Sequence, residues 1–303
     1  MDEAGRDAAD ASLVDAPNVD APNADGLRPD ASVDAGPPRH RLMLIEYPGR
    51  IMEIASDGRL LWEHKTPSLA VMFGVLPNGH VFYPHGAPSP GAEEVDRSHA
   101  VVWSYKSTAG ELLGGERLAN GNTLLGEGGP AVALELSPAK QVVRSIAVPT
   151  SYPTAHGQIR HIRRLDNGNV LAALEGEGAV REFDASGRAV WDYKGIASVH
   201  DALRLPNGNT LIGGGQSKRV LEVTPQGQIA WEFNAADAPS LGLAWICAVQ
   251  VLKNGNLLVT NWVGSGGGSG VHAFEVTRDK RVVYQFDDHT LVKSTTTVVA
   301  PDD

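Results

Sequence analysis

The dipeptide Asn-Gly occurs five times in this sequence, each time between two hydrophobic runs: Asn78-Gly79, Asn120-Gly121, Asn167-Gly168, Asn207-Gly208 and Asn254-Gly255. Successive copies stand 42, 47, 40 and 47 residues apart. That period points to one supersecondary unit copied along the chain, as in propellers, solenoids and arrays. Asn-Gly is the favoured pair for a tight hairpin in which both central residues take positive φ, so each copy is expected to close an antiparallel hairpin. Positions that recur in every copy should build the fold. Function is to be sought where the copies differ.

One whole repeat can be read between Ser198 and Asn234, as four short β-type runs bounded by turn residues: Ala202–Leu205, Thr210–Gly213, Arg219–Val223 and Ile229–Phe233. Asn-Gly joins the first two and Gln226-Gly227 the last two, giving a four-stranded meander with strands A, B, C and D. A strand C glutamate recurs at Glu53, Glu94, Glu135, Glu182, Glu222 and Glu275. Nine residues after each comes a strand D position held by Trp62, Trp103, Arg144, Trp191, Trp231 and Tyr284. These count six units, one more than the turns. The first unit lacks a strand A, and Ser294–Ala300 is a strand with nothing after it. The predicted fold is therefore all-β: a six-bladed β-propeller of four-stranded antiparallel blades, its ring closed by the C-terminal strand. The tryptophans are expected to wedge between blades, and the glutamates to accept hydrogen bonds from blade to blade.

Charge divides the chain in two. Residues 1–38 carry nine acids against two arginines, a net −7 of the whole-chain −10. This Asp/Ala/Pro segment lacks aromatic residues and repels itself, so it is read as a disordered acidic spacer ahead of a propeller at 39–303. The remainder is nearly neutral with no basic stripe, which argues against nucleic-acid binding. No apolar run reaches the length of a membrane span, and no signal peptide is legible. The one cysteine, Cys247, excludes an intrachain disulfide.

Strand A is innermost in a propeller, so its start and the end of strand B should meet at the channel mouth opposite the Asn-Gly turns. Seven residues before each turn asparagine stand Val71, Leu113, Arg160, His200 and Cys247; seven after stand His85, Glu127, Leu174, Gly214 and Asn261. His200 and Arg160 could face an anion, Arg160 with a planar fork of donors, and His156, His161 and Asp201 flank them. Trp245 and Trp262, the only tryptophans outside the strand D position, could form an aromatic wall for a flat ligand or sugar ring. The glycine-rich loop Gly264–Gly270 reads as a lid or a linker. No zinc-type spacing or phosphate-binding glycine motif is present, and no metal or cofactor is expected.

The stretch HDALRLPNGNTLI, His200 to Ile212, resembles a repeat of bacterial arylsulfotransferase-type propellers, and GQIAWEF, Gly227 to Phe233, is similar to quinoprotein-like repeats. The first resemblance implies a six-bladed propeller in which a central histidine carries a sulfuryl group, with His200 as that residue and Arg160 as an anion clamp. Those enzymes place histidines at several strand A starts, where this chain has Val71, Leu113 and Cys247. The acidic segment also resembles the tethers of some bacterial surface lipoproteins. Two functions stay open. One is a secreted or surface-tethered propeller, extracellular or periplasmic and monomeric, that binds a small-molecule or glycan ligand at the channel mouth. The other is an arylsulfotransferase-like transferase using His200.

Overall fold

The computed structural model describes residues 40–301, so the acidic spacer expected at 1–38 lies outside the described residues. Six four-stranded antiparallel sheets form a ring. The inner strands, in blade order, are Thr295–Val299, Gly74–Val75, Glu111–Arg117, His161–Arg164, Asp201–Arg204 and Ile246–Val251. Blade one draws its inner strand from the C-terminus: Thr295–Val299 pairs with Leu42–Glu46, placing Leu44 opposite Val298. The ring is closed as the strand count requires, and strand ends differ from the sequence reading by about a residue. The inner strand of blade five begins at Asp201 rather than Ala202.

The Asn-Gly turns differ in kind from the expected two-residue hairpin. In each, the glycine takes a φ between 81 and 86° while the asparagine stays at negative φ. In blade two, Gly79 N–H donates to Leu76 O and Leu76 N–H to His80 O. The loop is thus three residues long, a tight turn followed by one left-handed residue, where glycine carries no Cβ penalty. The asparagine secures the turn through its side chain instead. Its Oδ1 accepts the amide two residues on, as in Asn207 with Asn209 at 3.0 Å.

The recurring glutamates bind the blades together. Asn122, Asn169, Asn209 and Asn256 each donate from the A–B turn to the strand C glutamate of their own blade, and His80 lies 2.7 Å from Glu94. The other carboxylate oxygen meets a neighbouring blade. Arg117 reaches Glu94, Arg164 reaches Glu135, Arg204 reaches Glu182, Arg97 reaches Glu53 and Arg278 reaches Glu222. His40 closes the circuit onto Glu275 at 2.7 Å. The strand D tryptophans cross the same seams: Trp62, Trp103, Trp191 and Trp231 donate to carbonyls of Arg97, Pro138, Pro225 and Arg278 in the next blade. Apolar clusters fill each interface, as where Phe233 of blade five packs 5.4 Å from Phe274 of blade six.

Candidate functional site

The inner strands surround a channel cavity of about 500 Å3. Its wall includes Arg160 and His161 of blade four, His200 and Asp201 of blade five, and Cys247 of blade six. These residues lie within one position of the starts of inner strands, where the backbone is held to its own blade: Arg160 N–H donates to Ala173 O and His200 N–H to Gly213 O. The residues seven after the turns sit one strand further out. His85, Glu127, Leu174, Gly214 and Asn261 do not line the cavity.

At the end of the cavity away from the Asn-Gly turns, blades three to six, with Tyr47 of blade one, bring a string of polar and aromatic groups together. Glu111 stands 3.0 Å from His156 Nδ1, His156 Nε2 is 3.4 Å from Arg160, and Arg160 is 3.4 Å from Glu175. Glu175 lies 3.7 Å from His200 Nε2, an ion-pair distance longer than a hydrogen bond. The ring of His200 meets Trp245 edge-on at 5.6 Å, Trp245 meets Trp262 at 5.7 Å, and Trp262 meets Tyr47 at 5.9 Å. Two short 3-10 turns, Ala155–Gly157 and Glu175–Glu177, present His156 and Glu175. Tyr152 wedges between them: a Cβ on Gly157 or on Gly176 would stand 2.3 Å from its ring. Sequence reasoning missed Glu175. The signal was one residue away, because the chain turns immediately after Leu174.

The structure brings His156, Arg160, His200 and Trp245 into this string, with Trp262 at its end. His161 and Asp201 sit beside it in the channel wall. His161 Nδ1 lies 2.5 Å from Asp201 Oδ1, Arg163 is 3.2 Å from the same oxygen, and Val249 N–H donates to Oδ2 at 3.0 Å. Asp201 therefore ties blades four, five and six. Its burial opposes ionisation, but His161 and Arg163 outweigh that and hold the carboxyl far below the ordinary aspartate range. His85 lies apart in blade two, its Nδ1 2.9 Å from Ser68 Oγ. Asn261 is fully buried in blade six; it accepts the amides of Ala244 and Trp245 and donates to Val271 O, which fixes the loop carrying Trp245.

Burial, reinforced by the charge of Arg160, lowers His200 to about 4, so its ring is neutral at pH 7. Burial works against ionisation of Glu175 as well, yet His200 and Arg160 draw its carboxyl below the usual value. Burial pushes the Cys247 thiol well above its ordinary range, which removes it as a ready nucleophile. Six side-chain atoms in this region are buried without a hydrogen-bond partner in the protein: Arg160 Nε, His161 Nε2, His200 Nε2, Glu175 Oε2, Trp245 Nε1 and Trp262 Nε1. Buried polar atoms normally find partners, so their concentration here sets the region apart. Among the described residues no three His, Cys, Asp or Glu side chains come together to hold a metal ion.

The sequence matches no protein-family model and no curated protein. Solved structures do match. A protein of unknown function from Bacteroides caccae superposes with a TM-score of 0.77 at 23% identity, over 86% of this chain and 97% of its own. Catalytically inactive virginiamycin B lyase from Staphylococcus aureus, a histidine-to-alanine variant with quinupristin, gives 0.55 at 14% identity, covering 82% and 85%. The WD40 propeller domain of Doa1 gives 0.56 at 13% identity, covering 74% and 73%. The chain is a β-propeller. At these identities the likeness extends to the fold alone.

Proposed function

We infer that the protein binds a small ligand, or the end of an extended one, at the blade four to blade six end of its channel. The observation that carries this is the set of buried, unpartnered nitrogens on Arg160, His161 and His200, three residues that line one cavity. An unpartnered polar atom costs about 1–3 kcal/mol, and a ligand that meets all three recovers that. The aromatic edge of Trp245 and Trp262 supplies apolar area beside them. The fold suits the role: virginiamycin B lyase, a neighbour in fold, was solved with quinupristin. The composition of residues 1–38 supports a place outside the cytoplasm.

The test is a thermal-shift screen of glycans, small anions and neutral polar molecules on the parent, Arg160→Ala and His200→Ala. Hits that stabilise the parent and lose affinity in both variants support the site. Hits indifferent to both substitutions overturn it.

The second reading, transfer of a sulfuryl group through His200, is favoured by the neutral imidazole that burial enforces. It ranks lower because Arg160 already faces Glu175, which leaves no unmatched cation for a sulfuryl anion. An aryl sulfate donor with a phenolic acceptor decides it. Turnover abolished in His200→Ala would establish the transferase, and no turnover in the parent would remove it.

A further inference from the structure

The cavity wall changes character along its length. Near the starts of the inner strands it carries Arg160, His161, His200 and Asp201; towards the Asn-Gly turns it carries Val75, Leu76, Leu203, Val251 and Ala300. The polar side chains at this second end are engaged elsewhere. Gln250 donates to Ala300 O and accepts from its N–H at 3.1 and 2.8 Å. Arg117 donates to Glu94 and Thr123 and lies 4.1 Å from the ring centre of Trp103. Glu116 accepts the backbone amide of Arg164. Arg163, level with Leu203 in the repeat, donates to Ala202 O and to Asp201. One end is polar and unsatisfied; the other mixes apolar side chains with polar ones that are already paired.

The polar end has no net charge to offer. Arg160 is matched by Glu175 and Arg163 by Asp201. A bare anion or cation brought here would lose its hydration without an unmatched counter-charge. What remains is hydrogen-bonding capacity. His161 Nε2 and Arg160 Nε both lie buried without a protein partner, the second of them a donor. A hydroxyl or a primary amide both donates and accepts, and so meets both.

We propose that the channel binds an uncharged amphiphile, with a hydroxyl or primary amide head among Arg160, His161 and His200 and an aliphatic chain along the wall towards the Asn-Gly turns. This rests on the reading of the channel as a ligand site and adds the class of ligand. Each methylene drawn from water onto the apolar side chains there tightens binding roughly fourfold, until the wall is covered.

Calorimetric titration with butan-1-ol, hexan-1-ol, octan-1-ol, hexanamide, octanoate and glucose tests it. Affinity should climb about fourfold per methylene through the alcohols, and octanoate should bind at least tenfold more weakly than octan-1-ol. His161→Ala and His200→Ala should each weaken hexanamide severalfold. Ala248→Trp, which fills the channel from blade six, should abolish the chain-length dependence; if that variant does not fold, Val251→Phe takes its place. Chain-length dependence that survives the filled channel is adsorption elsewhere and overturns the proposal. Octanoate or glucose binding through His200 with a flat alcohol series also overturns it, while leaving the ligand site standing. If no probe here binds but the wider screen yields His200-dependent hits, the amphiphile falls alone. If neither gives His200-dependent binding, both readings fall.

Discussion

Arg204, on the inner strand of blade five, donates to Glu182 of blade four at 2.8 Å while its guanidinium carbon stands 5.1 Å from the ring centre of Trp191. Glu182 also accepts from Asn167 and Asn169 in the A–B turn of its own blade. One carboxylate thus fixes a turn, a strand and the next blade. Arg117 with Glu94 and Trp103, Arg97 with Glu53 and Trp62, and Arg278 with Glu222 and Trp231 repeat the arrangement at other seams.

Glu182→Ala should therefore cost more than an exposed ion pair would. It strands a largely buried guanidinium and frees two turn amides, a loss on the order of 2–4 kcal/mol. Glu182→Gln keeps an acceptor for the turn and should lose less. Urea unfolding of both variants against the parent checks this, and equal midpoints for parent and alanine variant would refute the seam argument.

Ring closure should be indispensable. Thr295 Oγ1 donates to Ile45 O, Thr297 Oγ1 donates to Val71 O, and Val298 N–H donates to Thr260 Oγ1, so the last strand touches blades one, two and six. A chain ending at Lys293 leaves blade one with an unpaired inner edge. It should lose cooperative thermal unfolding by circular dichroism. Retention of the parent's midpoint would show that the other five seams suffice.

Asn261 supports the site from beneath. Asn261→Ala removes the acceptor for Ala244 and Trp245 and the donor to Val271, and should cost about 2 kcal/mol or more. Trp245 should become more mobile, visible as a red shift and lower anisotropy of tryptophan emission relative to Trp231→Phe as a reference for the remaining fluorophores. Unchanged emission would mean that the loop holds itself.

The ring was legible because its recurring residues face the same surroundings in every blade. The cross-blade cation was less so, because it comes from two places. Arg117, Arg164 and Arg204 each stand three residues before a turn asparagine, but Val75 and Val251 hold that register in blades two and six. Arg97 and Arg278 serve the seams there from C–D turns instead. The site was half legible. Residues before the turns reach the channel because strand A is innermost, which brought out Arg160, His200 and Cys247. Residues after the turns lie a strand further out, so His85 and Asn261 meet local partners. Glu175 and the Tyr152 wedge depend on two loops meeting across a seam, and no spacing within one repeat encodes that.

Cys247 should be inert in the native protein. Its burial raises the thiol far above its ordinary range, and at pH 8 almost no thiolate is present to react. Iodoacetamide at that pH should leave the native mass unchanged and add one label in urea. Rapid native labelling would place the thiol in open contact with the solvent.

Stability should fall as the solution is acidified from neutrality, with His200 as one source. An unfolded histidine titrates near 6.5, whereas burial and Arg160 lower the native His200 to about 4. Between those values the unfolded chain takes up a proton that the native chain refuses, so stability is lost as pH falls from about 6.5 to 4 and this contribution is flat below. The loss is roughly 3 kcal/mol for His200, at about 1.4 kcal/mol per pH unit. His272 is lowered to about 4 by burial and by the neighbouring His289, and acts in the same window. Glu175 and Asp201 have the opposite charge but the same sense: their native forms lie below the unfolded values, so their stabilisation is full above pH 5 and disappears as acid protonates them. Urea midpoints at half-unit steps from pH 7.5 to 4 should therefore decline, and His200→Gln should remove a measurable part of the slope above pH 4.5, where the carboxylates contribute little. A slope identical in parent and variant would mean that His200 takes up its proton as readily in the native channel as in the unfolded chain.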